Sequence, residues 1–386
     1  MSRVYITRTS SFLPNSAVSN DEMEEYLGII NGNKSRSKAL ILRNNKIKQR
    51  YYALAKGGKT THSNAELTAL AVKNLFKDNP DEIKEVDLLC CGTSSPDQIM
   101  PSHGVMVHGQ LPEMNSIEVT TPSGNCCAGM HALKHAYMSL KLEDKDKAVS
   151  TGSERFSVLL KSENFEEEVQ ELSKLQEPNE LQDLPYLAFE KDFLRWMLSD
   201  GAGAFILERE PNKEGLSLEI NWMEAVSFAN QEDTCMYMAG EKMADGGLKG
   251  FAEFTPQENV KQSVYSIKQD ARQLDGKIVE LSFKKVPEIF KKHNLSSEDL
   301  DYFLVHMSSY YFEDKIAKHW DDLGMHIPKE KWFANLGTKG NVGAGSIYLM
   351  VDELLHSGNL KKGQKILLVV PESARFSYVY CLLTVS

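Results

Sequence analysis

The sequence lacks the features that mark membrane, secreted and nucleic-acid-binding proteins. It contains no run of about 18 apolar residues, so we expect no membrane-spanning helix. Residues 1–6 contain no signal-peptide core, which predicts a cytoplasmic location. The 44 Lys and Arg residues are outnumbered by 54 Asp and Glu residues, and the resulting net charge of −10 argues against a nucleic-acid partner.

Cysteine is also scarce, and its spacing excludes two common uses. The chain has 6 cysteines, and none of them forms a Cys-x-x-Cys pair. Four of them are adjacent in sequence, Cys90 with Cys91 and Cys126 with Cys127. This pattern is neither a disulfide framework nor a zinc-binding motif. We therefore expect free thiols, no metal ion and no cofactor.

What the sequence does contain is a repeat. Residues 85–95 and 300–309 each form a short apolar run that ends in a Ser-rich loop. An amphipathic helix is predicted before each run, over 65–76 and over about 277–293. The first of these helices would begin with a Ser-x-x-Glu capping box at 63–66.

Two further pairs of segments follow in the same order. Gly-Asn-Cys-Cys-Ala-Gly at 124–129 matches Gly-Asn-Val-Gly-Ala-Gly at 340–345, and each predicts the start of a helix of about five turns. The strands that follow end in similar segments, at 152–157 and 372–377. Three paired signals in one order indicate a duplicated α/β architecture, with helices between and outside two sheets.

The duplication predicts two homologous halves, residues 1–210 and 211–386, because the polar segment 208–216 interrupts the pattern. Residues 156–197 and about 222–254 have no partner in the other half and are predicted to be insertions. The second insertion is rich in Met and aromatic residues. Both could be helices and loops packed on the core. Alternatively, they cover a hydrophobic substrate channel, which adaptable Met side chains can line.

Three residues at equivalent tips of the duplicated fold are candidates for chemistry. Cys127 lies where a loop becomes a helix, and the helix N-terminus would lower the pKa of its thiol and make it an acyl acceptor. His306 ends a strand, and Asn341 begins the second helix. Each has a structural alternative, since buried Cys, structural His and ordinary N-cap Asn residues are common. Their occurrence together favours an active site.

Five motifs run in a fixed order over nearly the whole chain. They are Lys-Ile-Lys-Gln-Arg at 46–50, Cys-Cys-Ala-Gly-Met at 126–130, Ser-Asp-Gly-Ala-Gly-Ala at 199–204, Val-His-Met-Ser-Ser at 305–309 and Gly-Asn-Val-Gly-Ala-Gly-Ser-Ile at 340–347. The set resembles the Gly-Ile-Arg-Glu-Arg, Ala-Cys-Ala-Gly-Phe, Gly-Asp-Gly-Ala-Gly-Ala, His-Gln-Ala-Asn and Gly-Asn-Thr-Ser-Ala-Ala-Ser motifs of the β-ketoacyl-acyl-carrier-protein synthases III. The resemblance implies an acyltransferase with a thiolase-like layered αβαβα fold.

The resemblance also implies roles for individual residues. Cys127 would be the nucleophile, and His306 and Asn341 would hold the thioester carbonyl of the second substrate. The backbone N–H groups of Cys127 and Ser373 would form the oxyanion hole. A homodimer is implied as well, in which Met100 reaches into the partner's acyl pocket.

Three departures from the family pattern indicate a specialised branch. The family's C-terminal turn, Gly-Phe-Gly-Gly-Gly-Phe, is Val-Pro-Glu-Ser-Ala-Arg at 370–375. Leu40 and Asn44 take the places of the Trp and Arg that grip coenzyme A in the family. The two insertions have no counterpart in short housekeeping members, and Met223 and Met238 in the second one are predicted to line the substrate pocket.

The predicted reaction is a Claisen-type condensation. An acyl group would pass from a thioester to Cys127, and a second carrier-bound thioester, predicted to be a β-ketoacyl chain, would attack it as an enolate. Glu372 or another carboxylate would assist as base. Such ketosynthases act in specialised lipid or polyketide biosynthesis, for example on dialkylresorcinol or pyrone precursors. The alternatives are an ordinary synthase III that uses malonyl-acyl carrier protein, acyl transfer to oxygen or nitrogen, and a non-catalytic thiolase-fold partner subunit.

The segment 34–59 predicts where an acyl carrier protein docks. It contains nine Lys and Arg residues and no acidic residue. Acidic carrier proteins would be steered electrostatically to such a patch. We expect docking near Arg36, Arg43 and Lys48, and the alternative is a solvated loop without a partner.

Overall fold

A nine-stranded mixed sheet runs through the computed structural model, which describes residues 2–174 and 187–386. The strands in the described chain are β1 (Tyr5–Phe12), β2 (Val18–Ser19), β3 (Gln49–Arg50), β4 (Leu88–Thr93), β5 (Glu118–Thr120), β6 (Lys147–Glu154), β7 (Gly201–Glu208), β8 (Leu218–Ser227), β9 (Met236–Met238), β10 (Gly240–Lys242), β11 (Leu248–Gly250), β12 (Ile267–Gln269), β13 (Tyr302–Val305), β14 (Lys365–Glu372) and β15 (Ser377–Val385). Their order in the large sheet is β13-β14-β15-β8-β1-β7-β6-β4-β5.

The strand order is repeated on the two sides of the sheet's centre. Outward from β1 come β7, β6, β4 and β5, and outward from β8 come β15, β14 and β13. In each arm the second and third strands are antiparallel, and the third and fourth are parallel. A parallel bridge between Phe303 and Trp332 even repeats the pairing of β4 with β5. The arrangement agrees with a duplicated architecture, while the boundary at residue 210 stays a prediction.

Helices cover and separate the two arms. They are α1 (Met23–Leu27), α2 (Lys38–Asn45), α3 (Asn64–Leu75), α4 (His103–Gly109), α5 (Ala128–Lys141), α6 (Glu166–Lys174), α7 (Phe189–Arg195), α8 (Pro256–Lys261), α9 (Ala271–Lys284), α10 (Val286–Lys292), α11 (Glu313–Asp322), α12 (Leu336–Lys339) and α13 (Ser346–Leu355). Within the described residues, no helix combines the length and the apolar character needed to cross a bilayer.

The middle layer of the molecule consists of α5 and α13. One buried cluster joins Leu133 of α5 and Leu354 of α13 to strand residues of both arms. Val72 of α3 packs in a second cluster on the outer face of the first arm, and Leu281 of α9 packs in a third on the outer face of the second arm. The two arms of the sheet therefore form two layers, with α5 and α13 between them and further helices on the outer face of each arm. These five layers confirm the predicted layered α/β architecture.

The first predicted helix is confirmed together with its cap. Ser63 Oγ accepts a hydrogen bond from the Glu66 N–H at 3.1 Å, and Glu66 Oε2 accepts one from the Ser63 N–H at 2.6 Å. These two bonds satisfy N–H groups that have no partner inside the helix. The helix they begin is α3, within one residue of the predicted bounds.

The second predicted helix, 277–293, is wrong in its bounds. The Asp270 carboxylate accepts hydrogen bonds from the N–H groups of Arg272 and Gln273, so α9 begins at Ala271. A separate helix, α10, follows with Pro287 in its first turn. Proline has no N–H to donate and clashes with the preceding turn, and this explains the break between the two helices.

The predicted insertions differ in how they relate to the core. The first, 156–197, contains α6 and α7, but its residues 175–186, which include Leu175 and Leu184, lie outside the described residues. The second, 222–254, is wrong in its first residues, because β8 runs to Ser227 and pairs with β1 and β15. Its remainder forms the small strands β9, β10 and β11.

Candidate active site

Cys127 lies at the start of α5, as predicted. It is fully buried, and its Sγ lies 3.2 Å from the carbonyl oxygen of Val370 in β14, to which it donates. The Glu372 carboxylate lies at the same helix start. Its Oε2 accepts hydrogen bonds from the N–H groups of Asn125 and Cys127, each at 3.0 Å. Two distant parts of the chain, residues 125–127 and 370–372, thus meet at the Cys127 thiol.

The predicted lowering of the Cys127 pKa is wrong for this arrangement. Burial raises the pKa of the thiol well above its ordinary value, and the neighbouring Glu372 charge raises it further. The carboxylate also occupies N–H groups whose dipole would otherwise have favoured a thiolate. Cys127 is therefore a protonated thiol at neutral pH.

A largely apolar cavity adjoins this helix start. Its volume is about 40 Å³, and Cys126, His306, Pro371 and Ser373 are among the residues that line it. The rest of the wall is formed by apolar side chains of the second arm, among them Leu274, Ile278, Val279, Phe283, Val305, Phe312, Ile316 and Trp320. Cys126, which is 8% exposed, lines the cavity, whereas Cys127 is 0% exposed and lies behind it.

His306 follows the end of β13, and its side chain is buried. Its backbone N–H donates to Val369 O at 2.9 Å, which continues the pairing with β14. Burial lowers the pKa of the imidazole to about 4, so the ring is neutral near pH 7. Its Nε2 has no hydrogen-bond partner within the described residues. A buried polar atom without a partner beside a cavity is placed to bind a substrate group.

Asn341 is buried but does not begin the helix, so that prediction is wrong. Its Oδ1 accepts a hydrogen bond from the Gly343 N–H at 2.9 Å, which leaves the NH2 group as the end that can donate. Gly343 has a φ of +47°, a conformation that disfavours side chains, and α13 begins only at Ser346. His306 and Gly340, the residue before Asn341, line one small cavity.

Ser373 begins the turn between β14 and β15, and its Oγ accepts a hydrogen bond from Gln269 Nε2 at 2.8 Å. The Cys127 N–H, which was predicted to be an oxyanion donor, already donates a hydrogen bond to Glu372. The sequence did not predict this contact. A similarity between the two halves of the sequence could have indicated the contact of Glu372 with the helix start. β6 and β14 are both eight-residue strands that begin with Lys and end with Glu.

The three predicted pocket methionines do not line the cavity that Cys126 and His306 share. Met100 is 83% exposed, Met223 is buried within the central cluster as part of β8, and Met238 is half-buried in β9. Met236 is closer to the site. Its sulfur lies 2.8 Å from Asn125 Nδ2, and the sequence analysis did not single it out for this role.

A second cavity opens at the surface next to the first. Leu40 and Asn44 of α2, together with Phe189 of α7, line it. Leu274 and Phe312 line both cavities, so the two spaces share a wall. The positions that grip coenzyme A in the resembling family therefore line a surface cavity, and Leu274 and Phe312 lie between it and the cavity lined by Cys126 and His306.

The predicted basic patch is smaller than the sequence suggested. Arg36, Arg43 and Lys48 are exposed. Arg50 is fully buried, and its guanidinium donates to Asn20 Oδ1 at 2.8 Å, so it cannot contact a partner. Lys38 pairs with Glu24 at 2.8 Å and Lys56 pairs with Glu25 at 2.6 Å, which partly neutralises the segment 34–59.

Comparisons with known proteins identify relatives of this chain and structures that share its fold. Residues 290–371 match the family described as 3-oxoacyl-[acyl-carrier-protein (ACP)] synthase III C terminal. A β-ketoacyl-[acyl-carrier-protein] synthase III of Clostridium botulinum (strain Okra / Type B1) is 23% identical over 96% of this chain and 95% of its own length. The corresponding protein of Chlorobaculum tepidum is 23% identical over 94% of both chains.

Solved structures share the fold over the whole chain. AbyA1, a tetronic acid condensing enzyme, superposes with a TM-score of 0.74 and 18% identity over 99% of both chains. A cysteine-to-serine variant of Xanthomonas campestris OleA, with bound lauric acid and lauroyl-CoA, gives a TM-score of 0.73 and 18% identity over 99% of both chains. FabH from Pseudomonas aeruginosa PAO1 gives 0.70 and 18% identity over 100% of this chain and 98% of its own.

The predicted resemblance and the predicted thiolase-like fold are thereby confirmed. The chain is a ketosynthase III-like condensing enzyme, an acyltransferase by class.

We expect acid to destabilise the protein through His306. The unfolded chain binds a proton on this residue near pH 6.5, whereas the folded chain resists protonation until about pH 4. The free energy of unfolding therefore falls as the pH decreases between these values. A His306→Asn variant lacks this loss, so its difference from the wild type should change by at most about 1.4 kcal/mol per pH unit. Urea unfolding across this pH range measures both curves, and parallel curves contradict the expectation.

Proposed function

We propose that the protein is a ketosynthase that acylates Cys127 from an acyl thioester and condenses the acyl group with a second, carrier-bound β-ketoacyl thioester. One observation carries the proposal. His306, with a free Nε2, and Ser373 line one mostly apolar cavity together with Cys126, and the Cys127 thiol is buried next to Cys126 at the helix start. The relatives of this chain include β-ketoacyl-[acyl-carrier-protein] synthases III. The reaction belongs to specialised lipid or polyketide biosynthesis, such as the formation of dialkylresorcinol precursors.

In the first step, the Cys127 sulfur attacks the carbonyl carbon of the incoming thioester. The bond from that carbon to the donor sulfur breaks, and the donor thiol leaves with the proton of the Cys127 thiol. The backbone N–H groups of Cys127 and Ser373 hold the oxygen of the tetrahedral intermediate, an arrangement in which one donor contributes about 3 kcal/mol. The apolar wall around Ile278 and Phe283 accommodates the acyl chain and excludes water from the thioester. Glu372 must release the Cys127 N–H for this step, because one donor cannot serve two anions.

In the second step, His306 and Asn341 hold the thioester oxygen of the attacking substrate. A neutral imidazole can donate from Nε2, and the amide of Asn341 is oriented by its bond to Gly343. Both groups are buried, so their hydrogen bonds to a developing enolate act in a low-dielectric setting. The enolate carbon then attacks the acyl group on Cys127.

Two features favour a β-ketoacyl chain over a two-carbon extender as the second substrate. Pro371 and Ser373 of the altered turn line the cavity, which extends over many apolar side chains of the second arm. Leu40, which is 49% exposed and lines the surface cavity, offers an apolar contact where the family grips coenzyme A. The α-proton of a β-ketoacyl thioester is already acidic, so loss of carbon dioxide is not needed to form the carbanion.

An acyl carrier protein is the proposed source of both thioesters. Arg43 is on α2, the helix whose residues Leu40 and Asn44 line the surface cavity, and Lys48 follows shortly after it. An acidic carrier bound there would point its thioester arm into the cavity. We further propose a homodimer, since the adjacent Ile99 and Met100 are 70% and 83% exposed and such apolar side chains are suited to a partner's pocket.

Acylation is expected on Cys127 and not on Cys126, although Cys126 lines the cavity. Cys127 aligns with the nucleophile of the family motif, and its own N–H is an oxyanion donor. The enzyme is incubated with a carrier-bound acyl donor and digested, and the mass shift is located by peptide mass spectrometry. Cys126→Ala should still be acylated and Cys127→Ala should not. A shift on Cys126 with Cys127 unmodified would overturn the assignment.

The substrate class is tested by supplying two donors to the acylated enzyme. We expect turnover with a β-ketoacyl-carrier of six to ten carbons, without release of carbon dioxide. Product mass and carbon dioxide are measured together. Efficient turnover with malonyl-carrier, and none with the β-ketoacyl donor, would instead identify an ordinary chain-initiating synthase.

Charge reversal tests carrier docking. We expect the variant with Arg36, Arg43 and Lys48 all changed to Glu to be acylated about tenfold or more slowly by a carrier-bound donor at low salt, because electrostatic steering is lost. The effect should shrink as salt is added.

The matched control reverses three exposed lysines elsewhere, Lys213, Lys361 and Lys362. This variant has the same change in net charge but an intact patch, so it should be acylated faster than the patch variant. Equal rates for the two variants at low salt contradict docking at this patch.

A further inference from the structure

Glu372 is a buried carboxylate at the site, and the two steps described above require only that it move away. It is 8% exposed, and two backbone N–H groups, of Asn125 and Cys127, are its hydrogen-bond donors. No Lys, Arg or His within the described residues forms an ion pair with it. A buried carboxylate without a cation is costly, so a structural role alone is a poor explanation.

The other half of the fold shows what a structural carboxylate looks like at the equivalent place. Glu154 ends β6 as Glu372 ends β14, and it too contacts the other half's helix start, through the Ala344 N–H at 3.1 Å. In addition, the hydroxyl groups of Ser94 and Ser95 donate to it at 2.6 Å and 2.5 Å. Glu154 is completely buried and closely surrounded by donors.

Serines occupy equivalent positions near Glu372, but within the described residues none of them donates a hydrogen bond to it. The parallel pairing of β4 with β6 and of β13 with β14 makes Ser94 the counterpart of Ser308 and Gly92 the counterpart of His306. In the second arm, Ser308 and His306 line the cavity, as do the two residues that flank Glu372, Pro371 and Ser373. Glu372 is not among the residues that line this cavity. Within the described residues, however, no side-chain hydroxyl group donates to it, whereas two hydroxyl groups donate to its counterpart Glu154.

We propose that Glu372 is the general base that removes the α-proton of the second thioester, an assignment that rests on the proposed β-ketoacyl condensation. Once Cys127 is acylated, the acyl carbonyl oxygen takes the Cys127 N–H, and the carboxylate is left with a single backbone donor. Burial raises the pKa of Glu372, which strengthens it as a base. The titratable groups beside it are Cys126 and Cys127, whose thiols are neutral.

His306 is the less suitable base. The pKa of its imidazole is about 4, so the neutral ring binds a proton weakly. A neutral ring is, however, a good donor to an enolate oxygen. The two groups thus divide the work, with Glu372 accepting the proton and His306 stabilising the charge that the proton leaves behind.

The proton balance closes over one cycle. The C2–H bond of the β-ketoacyl thioester breaks, its proton goes to Glu372, and its electron pair forms the enolate. C2 then bonds to the acyl carbonyl carbon, the tetrahedral intermediate collapses, and the bond from that carbon to the Cys127 sulfur breaks. The released thiolate takes the proton back from Glu372. No carbon dioxide is released, and no oxidant or reductant is required.

The test is a Glu372→Gln variant, which keeps the shape and the acceptor oxygen but cannot take the proton. Acyl-enzyme formation is followed by intact mass, and condensation with the β-ketoacyl-carrier is followed by product mass. We expect the ratio of the condensation rate to the acylation rate to fall by about a hundredfold or more. Glu372→Asp, which keeps a carboxylate, should recover part of this loss.

Glu154→Gln is the matched control, because it changes the equivalent carboxylate in the other half, which contacts the Ala344 N–H and not the Cys127 N–H. Any disturbance of the fold there should lower both rates together and leave their ratio unchanged. An unchanged ratio in Glu372→Gln, with a wild type that condenses the β-ketoacyl chain, overturns the base assignment alone. A wild type that forms the acyl-enzyme but never condenses that chain overturns the proposed substrate as well.

Discussion

Backbone contact between the starts of the two central helices fixes the geometry of the protein. A Cβ atom on Gly129, in the first turn of α5, would lie 2.5 Å from the carbonyl oxygen of Ala344, and a side chain on Gly152 would overlap the same atom. Only glycine permits so close an approach. This contact fixes the positions of Cys127, just before α5, and Asn341, three residues before Ala344, on the two sides of the contact between the helix starts. The five layers pack around the contact between these two helix starts.

Each half of the molecule supplies a carboxylate to the helix start of the other half. Glu154 contacts the Ala344 N–H, and Glu372 contacts the Cys127 N–H. A negative charge at a helix N-terminus is stabilised by the helix dipole, so both contacts hold the halves together. At Cys127 the same charge opposes ionisation of the thiol. The resting site therefore contains a protonated nucleophile, and its reactivity depends on a thioester displacing the carboxylate.

Local signals in the sequence were sufficient for the fold and for part of the site. The capping box before α3, the paired glycine-rich segments and the apolar runs each depend on residues close in sequence, and they gave the duplicated layered architecture correctly. The thiol's pKa could not be predicted in this way. Burial raises this pKa most, and the charge of a carboxylate 245 residues away raises it further. Both depend on tertiary structure, since the pairing of β14 with its neighbours positions that carboxylate. Similarly, the burial of Arg50 depends on its contact with Trp196.

The two arms differ at the positions of Gly92 and His306, and this difference explains why the cavity of the site lies in the second arm. In the first arm, Gly92 packs so tightly on Ala128 that a side chain there would overlap its carbonyl, and serine hydroxyls close around Glu154. In the second arm, His306 stands in the place of Gly92, and the loop after it leaves room that apolar side chains surround. In the first arm, hydroxyl and backbone donors thus satisfy the carboxylate of Glu154. The second arm leaves Nε2 of His306 and the carboxylate of Glu372 with fewer partners than burial normally requires, and a bound substrate is the group that can supply the rest.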